Sequence, residues 1–126
     1  MSTKTILIAD DSSTMRAMLV AIVEALGDYR VVEASSGFDA LRLLPRDHFD
    51  LIMTDINMPD INGLELISYL RNNPNYKNIP VFIISTEGSA KDIEKGKQLG
   101  ADEYVVKPFS PVILQQMINR YLNKTP

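Results

Sequence analysis

Carboxylates, a hydroxyl group and an ammonium group follow four short apolar runs of the sequence. Asp10 and Asp11 follow the first run, and Asp55 ends another. Ser85 and Lys107 follow two further runs. Apolar runs of this length, bounded by turn residues, are typical of buried strands. The carboxyl ends of parallel strands form the edge where ligands bind. We therefore expect these five side chains to meet at one edge of a sheet.

Three carboxylates at one place repel one another, by about 4 kcal/mol per pair at about 4 Å and an effective dielectric constant of about 20. A set of oxygen ligands that includes a loop carbonyl suits Mg²⁺ and offers nothing for zinc. Asp55 is the candidate nucleophile because it lies on the middle strand and because carboxylates can accept a phosphoryl group. Lys107, the Ser85 hydroxyl and Mg²⁺ would stabilise the phosphoryl oxygens.

Each residue taken singly also has a structural explanation. Asp10 or Asp11 could cap the next helix, and Asp55 could begin a turn. Ser85 could bind the backbone, and Lys107 could be a solvated surface charge. Their joint occurrence at four predicted strand ends favours a shared site.

The elements that must position these residues alternate along the chain. Apolar runs predict strands at 5–9, 29–34, 51–55, 81–84 and 104–106, and helical spacing predicts helices at 15–26, 38–44, 64–70, 90–99 and 112–122. Gly27 and Pro45 end the first two helices, and Ser110-Pro111 begins the last. Right-handed crossovers then favour an α/β, flavodoxin-like fold with five helices around a doubly wound, five-stranded parallel sheet in the order 2-1-3-4-5. The polar, lysine-rich helix at 90–99 is predicted to be the most weakly anchored.

Composition limits the class of protein. A chain of 126 residues that is 45% hydrophobic suits one domain, and we expect residues 1–126 to form it without an output domain. The net charge of -3 argues against nucleic-acid or membrane surfaces as partners. The absence of cysteine and of a long apolar stretch is typical of a cytoplasmic protein.

Spaced motifs make the sequence resemble the receiver domain of two-component response regulators over residues 5–122. They are Asp10-Asp11, the segments 55–59 and 62–63, Ser85-Thr86-Glu87, Gly100-Ala101 and the segment 104–109. The resemblance implies a phosphoacceptor signalling protein rather than an enzyme. Its phosphodonor would be a sensor histidine kinase.

The resemblance also implies a role for the acidic residues. Asp55 would accept the phosphoryl group. Asp10 and Asp55 would bind Mg²⁺ directly, Asp11 would bind it through water, and Asn57 would contribute its backbone carbonyl.

Further matched residues would act on the phosphoryl group and transmit its presence. Lys107, before a proline bond that the family usually holds cis, and Ser85 would contact the phosphoryl oxygens. Ser85 and Tyr104 would form the conformational switch, with Tyr104 moving inward. Asn57 and Glu87 would influence the lifetime of the phosphate.

The output implied by the resemblance is altered binding of a partner by the face formed by helix 4, strand 5 and helix 5. That partner would be a motor switch protein in chemotaxis or a histidine phosphotransfer protein in a relay, and the regulator itself is expected to be a monomer. Three positions depart from the family pattern. Ser85 stands where threonine is commoner, Thr86 where a smaller residue is usual, and Ile56 at a position that can be aromatic.

The sequence also allows three alternative functions to be considered. A flavodoxin-like flavin or nucleotide binder could place a phosphate at 12–14, although Asp10 and Asp11 would repel it. A haloacid-dehalogenase-type phosphatase would need two aspartates flanking one residue, whereas these two are adjacent. A degenerate receiver that serves only as a binding module is disfavoured by the complete acidic set.

Overall fold

Five strands and five helices alternate along the chain in a computed structural model, which describes residues 3–123. The strands are β1 Lys4–Ala9, β2 Tyr29–Ala34, β3 Leu51–Thr54, β4 Val81–Ser85 and β5 Glu103–Val106. The helices are α1 Ser13–Glu24, α2 Gly37–Leu43, α3 Gly63–Arg71, α4 Ala90–Leu99 and α5 Pro111–Leu122. The strands pair in parallel in the order β2-β1-β3-β4-β5. The predicted fold class and strand order are confirmed.

The sheet is covered on both faces, which explains why its central strands have continuous apolar segments rather than alternating polar residues. Successive residues of a strand point to opposite faces. Ile6 and Ile8 of β1 belong to a core cluster with residues of α1 and α5. Leu7 and Ala9 belong to a second cluster with residues of α2 and α3. Burial on both faces removes the polar alternation of a half-exposed strand.

The N-cap of α1 lies in the loop that follows β1 at the carboxyl edge of the sheet. Ser12 is the N-cap of α1, and its side chain accepts a hydrogen bond from the Met15 amide at 3.2 Å. The alternative in which Asp10 or Asp11 caps this helix is therefore wrong. Because a serine hydroxyl satisfies the exposed helix amide, both carboxylates are released from that role.

The predicted boundaries differ from the observed ones by a few residues. Helix α1 ends at Glu24, before the predicted end at residue 26, and Gly27 follows with a positive φ of 136°. Helix α2 ends at Leu43 and continues as a short 3-10 helix, Leu44–Arg46, which contains the expected Pro45. Proline is tolerated there because the amide it lacks lies in the first turn. Helix α5 begins with the predicted Ser110 cap and proline.

Helix α4 contacts the sheet through a small residue. Gly96 is its only fully buried residue, and Ile93 is partly buried. A Cβ atom at Gly96 would lie 2.8 Å from the Ile83 side chain and 3.0 Å from the Tyr104 ring. The missing side chain thus allows close packing, although a glycine inside a helix costs about 1 kcal/mol relative to alanine. The limited burial agrees with the prediction of a weakly anchored helix.

None of the helices found within residues 3–123 combines the length and the apolarity needed to cross a membrane.

Candidate functional site

The site is assembled by backbone pairing at the carboxyl edge of the sheet. The Asp55 amide donates to the Ala9 carbonyl at 2.9 Å, which places Asp55 beside the end of β1. The Lys107 amide donates to the Ser85 carbonyl at 2.8 Å, which carries the chain of β5 past the end of β4. Asp10 directly follows β1. The predicted meeting of strand ends is thus present in the structure.

Lys107 joins two of the carboxylates. Its Nζ atom lies 3.1 Å from Oδ2 of Asp10 and 3.3 Å from Oδ2 of Asp55. The side chains of Lys107 and Asp55 are each 12% exposed, and that of Asp10 is 2% exposed. Buried charges are costly unless they are paired. The ammonium group of Lys107 therefore partly balances the charge of two carboxylates that are largely shielded from water.

The third carboxylate completes an acidic cluster. Asp10, Asp11 and Asp55 each offer one oxygen, and the three oxygens lie within 4.8 Å of one another. Asp10 is buried, Asp55 is partly buried and Asp11 is exposed. A ligand set of oxygens that is open to water on one side fits Mg²⁺, which keeps several waters and uses one or two carboxylates.

Electrostatics favour an added cation. Burial raises the pKa of Asp55, Lys107 opposes this shift, and the Asp10 carboxylate adds to it. The net direction is upward, so Lys107 does not fully compensate the cost of holding Asp55 charged. A divalent cation at the cluster would lower that cost.

Asn57 and Glu87 lie on the rim of the cluster. The Asn57 amide group donates to Oε1 of Glu87 at 3.0 Å. Both side chains are exposed. This hydrogen bond links the β3–α3 loop, which begins at Asp55, to the β4–α4 loop. The role of the pair in phosphate lifetime stays a prediction.

Ser85 and Tyr104 both make hydrogen bonds with the backbone of Glu87. Ser85 is fully buried, and its Oγ accepts a hydrogen bond from the Glu87 amide at 3.1 Å. The Tyr104 hydroxyl donates to the Glu87 carbonyl, and the Tyr104 side chain is partly buried. Burial raises the pKa of Tyr104, while a hydrogen bond with the Ser85 side chain opposes that shift. Ser85 and Tyr104 are thus linked through the backbone of Glu87.

Gly63 has a role that the sequence motif did not explain. Its amide donates to the Ile56 carbonyl at 2.9 Å. A Cβ atom at Gly63 would lie 2.1 Å from the carbonyl oxygen of Asp55. A side chain here would displace the backbone that carries the candidate nucleophile, so only glycine fits. The sequence shows that a glycine follows the helix cap Asn62. It does not show that this glycine packs against Asp55, because that contact forms only in the folded protein.

Arg16 is a further residue to which the sequence analysis assigned no role. Its Nη1 atom donates to the carbonyl oxygen of Asp10 at 2.6 Å, and its Nε atom donates to Glu33 Oε1 at 3.2 Å. An arginine one turn after an acidic pair was visible in the sequence. Its target is a backbone atom, which no residue pattern reveals.

The departures from the family pattern lie at different depths. Thr86 is exposed and borders an apolar groove of about 380 Å³, whose other lining residues are Met15, Met18, Lys107, Pro108 and Phe109. Ile56 is buried in the core. The bond between Lys107 and Pro108 is cis, as the resemblance implied. Thr86 thus borders the same groove as Lys107 and is exposed to solvent.

Comparison with known sequences identifies the family. The family model of the response regulator receiver domain matches residues 6–119. The chain belongs to the response regulator receiver domain family. The resemblance inferred from the motifs is thereby confirmed, and the chain is a receiver domain of a CheY-like response regulator in two-component signalling.

Relatives of this receiver domain match it over nearly its whole length. A chemotaxis protein CheY homolog of Campylobacter jejuni subsp. jejuni (strain 81-176) is 36% identical over 118 residues, which cover 93% of this chain and 91% of that protein. The structure of Vibrio cholerae CheY4 crystallised at low pH is 34% identical, covers 96% of this chain and 100% of that one, and has a TM-score of 0.87.

A receiver domain of another kind of protein is also similar. It belongs to the sensor histidine kinase PA1611 of Pseudomonas aeruginosa PAO1, and its structure has a magnesium ion coordinated in the active site cleft. It is 26% identical, covers 98% of this chain and 100% of that one, and has a TM-score of 0.87. The fold of this receiver domain is therefore shared by regulators and by domains attached to kinases.

Proposed function

We propose that Asp55 accepts a phosphoryl group from a phosphohistidine of a sensor histidine kinase. One observation carries the proposal: a partly buried carboxylate stands between two further carboxylates and the Lys107 ammonium group, at the carboxyl edge of the sheet. Its charge is costly without a cation, and its location allows access from solvent on the side of Asp11. A receiver domain in which these groups were only structural would not need all of them at one point.

In the proposed step, a bond forms between phosphorus and a carboxylate oxygen of Asp55. The bond between phosphorus and the donor histidine nitrogen breaks, and the nitrogen keeps its electron pair. Lys107 would move its ion pair from Asp55 to a phosphoryl oxygen, and the Ser85 hydroxyl would donate to another. Transfer of this kind requires mainly alignment and charge stabilisation from the protein.

The same proposal includes Mg²⁺. Asp10 and Asp55 would hold it directly, Asp11 through water and Asn57 through its backbone carbonyl, and the oxygen donors present fit that ion. When bound, Mg²⁺ supplies positive charge to the phosphoryl oxygens. The magnesium ion in the cleft of the PA1611 receiver domain supports this assignment.

The phosphoacceptor assignment is tested with a small-molecule phosphodonor and Mg²⁺, followed by intact-mass spectrometry. The wild-type protein should gain one phosphoryl group, and Asp55→Asn should gain none. Asp60→Asn is a matched control because Asp60 lies in the same loop, at a positive φ of 66° that asparagine tolerates. An unlabelled wild type, under conditions that label another receiver domain, would refute the assignment.

For the output, we propose that the face formed by α4, β5 and α5 changes its affinity for a partner protein. Ser85 at the end of β4 and Tyr104 in β5 both contact the backbone of Glu87, in the loop that leads to α4. Movement of Ser85 towards a phosphoryl oxygen would change this connection. Hydrogen exchange should then change in α4 and β5 upon treatment with beryllium fluoride, and should stay constant in α2.

The identity of the partner has two candidates. The CheY relatives are named chemotaxis proteins, which supports a chemotaxis role and with it the motor switch protein that the family resemblance implies. The alternative is a relay in which phosphate passes to a histidine phosphotransfer protein, which would use the same Asp55. We propose the chemotaxis role for this receiver domain, and we propose that the regulator is cytoplasmic and monomeric. Transfer of labelled phosphate to a phosphotransfer protein, without binding of a motor switch protein, would favour the relay.

A further inference from the structure

The exposed member of the acidic cluster depends on its backbone for its direction. Asp11 is exposed, yet its carboxylate lies within 4.8 Å of those of Asp10 and Asp55. Exposed side chains choose among rotamers, so the peptide plane before Asp11 decides which directions are open to it. The group that holds this peptide therefore bears on the geometry of the whole cluster.

Arg16 donates a hydrogen bond to the peptide group before Asp11. The carbonyl of Asp10 belongs to the peptide bond between Asp10 and Asp11, and it accepts a hydrogen bond from Arg16 Nη1 at 2.6 Å. Hydrogen bonds from a charged donor are stronger than neutral ones. The contact fixes the plane of the peptide bond at the point where the two acidic residues diverge.

The guanidinium group is itself restrained. Arg16 lies in the first turn of α1, where its amide donates to the Ser12 carbonyl at 3.0 Å. Its Nε atom donates to Glu33 Oε1 of β2 at 3.2 Å, and its side chain is only 17% exposed. A guanidinium fork with two such bonds keeps a defined orientation. Arg16 thus connects α1, β2 and the end of β1.

Arg16 differs from Lys107 in the atoms that it contacts. Lys107 contacts carboxylate oxygens of Asp10 and Asp55, two of the three residues that form the candidate metal cluster. Arg16 binds a backbone carbonyl and leaves those oxygens free. Its positive charge therefore persists near the cluster whether or not a cation is bound there.

We propose that Arg16 is a positioning residue for the metal ligands: its hydrogen bond to the Asp10 carbonyl orients Asp11 towards the oxygens of Asp10 and Asp55. This inference rests on the proposed Mg²⁺ site. Groups that orient ligands without touching the metal typically change metal affinity by about 10- to 100-fold when removed.

The test measures the dissociation constant for Mg²⁺ alone, by isothermal titration calorimetry and by the dependence of the melting temperature on Mg²⁺ concentration. Arg16→Met should raise the constant by about 10-fold. Arg16→Lys should recover little of the affinity, because a lysine cannot make both bonds of the guanidinium fork. Arg30→Met is the matched control, since Arg30 pairs with Asp47 and its side chain is 55% exposed. Its constant should equal that of the wild type.

A second variant separates orientation from folding. Glu33→Gln weakens the contact between Arg16 Nε and the residue 33 side chain, and it leaves the hydrogen bond from Arg16 Nη1 to the Asp10 carbonyl in place. We expect it to raise the Mg²⁺ dissociation constant less than Arg16→Met does. If Arg16→Met does not fold, the inference is tested by the Mg²⁺ dissociation constants of Arg16→Lys and Glu33→Gln. If both constants equal that of the wild type, the inference is overturned.

The outcomes distinguish this inference from the proposed function. Unchanged Mg²⁺ affinity in a folded Arg16→Met protein, with lower stability at every Mg²⁺ concentration, would show a purely structural role and overturn the inference alone. A wild type that binds no Mg²⁺ would overturn both. Phosphorylation that requires more Mg²⁺ in Arg16→Met, yet reaches the wild-type extent at saturation, would support the inference.

Discussion

Replacement of Lys107 by methionine tests how the acidic cluster is balanced. Methionine keeps most of the length of the side chain and removes the positive charge. The ammonium group lies 3.1 Å from the Asp10 carboxylate and 3.3 Å from the Asp55 carboxylate. At an effective dielectric constant of about 20, each contact corresponds to a gross attraction of about 5 kcal/mol.

The expected loss of stability is smaller than this gross attraction, because the lysine also loses hydration when it is buried. Removal of one partner from a buried ion pair typically costs about 3–5 kcal/mol. Asp55 is only partly buried, so we expect a loss of about 3 kcal/mol, at the lower end of that range, when Mg²⁺ is absent. With a urea slope of about 2 kcal/mol per M, the midpoint of unfolding would fall by about 1.5 M.

Magnesium should reduce this loss. A divalent cation at the cluster would replace the missing charge, and ligands that bind only the folded state stabilise it. We therefore expect the difference between wild type and Lys107→Met to fall below about 1 kcal/mol at saturating Mg²⁺. Urea unfolding followed by circular dichroism, with EDTA and with Mg²⁺, measures both differences. Lys95→Met is the control, since Lys95 is exposed on α4 and should change stability by less than about 0.5 kcal/mol.

Two results would refute the reasoning about Lys107. Equal losses with EDTA and with Mg²⁺ would mean that the metal does not bind where the lysine acts. No loss with EDTA would mean that the carboxylates are not held charged and close together in the metal-free protein.

Three further predictions concern other parts of the site and the fold. Gly63→Ala should destabilise the protein by about 3 kcal/mol and reduce phosphorylation, because the new Cβ atom would lie 2.1 Å from the Asp55 carbonyl oxygen; unchanged urea unfolding would contradict this. Arg71→Met should lower the free energy of unfolding by about 2–3 kcal/mol, because the Arg71 guanidinium group binds backbone carbonyls at the amino edge of the sheet. The Mg²⁺ dissociation constant should not change, since this edge lies opposite the acidic cluster. A changed constant would contradict the prediction. Asn57→Ala and Glu87→Ala should change the dephosphorylation rate by similar factors, and the double variant should show no additional effect, because the two side chains share one hydrogen bond; additive effects would disprove their joint action.

The strand order and the meeting of the strand ends were predictable from the sequence because both depend on local patterns. Apolar runs identify strands, helical spacing identifies the crossovers, and the right-handed rule leaves few topologies. Asp10, Asp55 and Lys107 follow such runs directly, so the edge at which they meet follows from the topology. The structure brings them within ion-pair distance. Their chemical roles remain predictions.

The boundaries of elements were less predictable, because capping depends on which group reaches a free amide. Asp10, Asp11 and Ser12 are all suitable caps by residue type. The structure uses Ser12 for α1, and Asp10 instead accepts a hydrogen bond from the Ser12 amide at 2.9 Å. The choice is set by the direction in which the chain leaves β1, which is a property of the folded sheet.

The sequence by itself therefore determined the fold class, the order of the strands and the set of residues at the carboxyl edge. The tertiary structure decided which atoms of neighbouring elements meet. The approach of Gly63 to the Asp55 carbonyl and the bond from Arg16 to the Asp10 carbonyl are examples. The physical reason is that the targets are backbone atoms, which every residue possesses. Their positions follow from the register of packed elements, and no pattern of side-chain types along the chain encodes them.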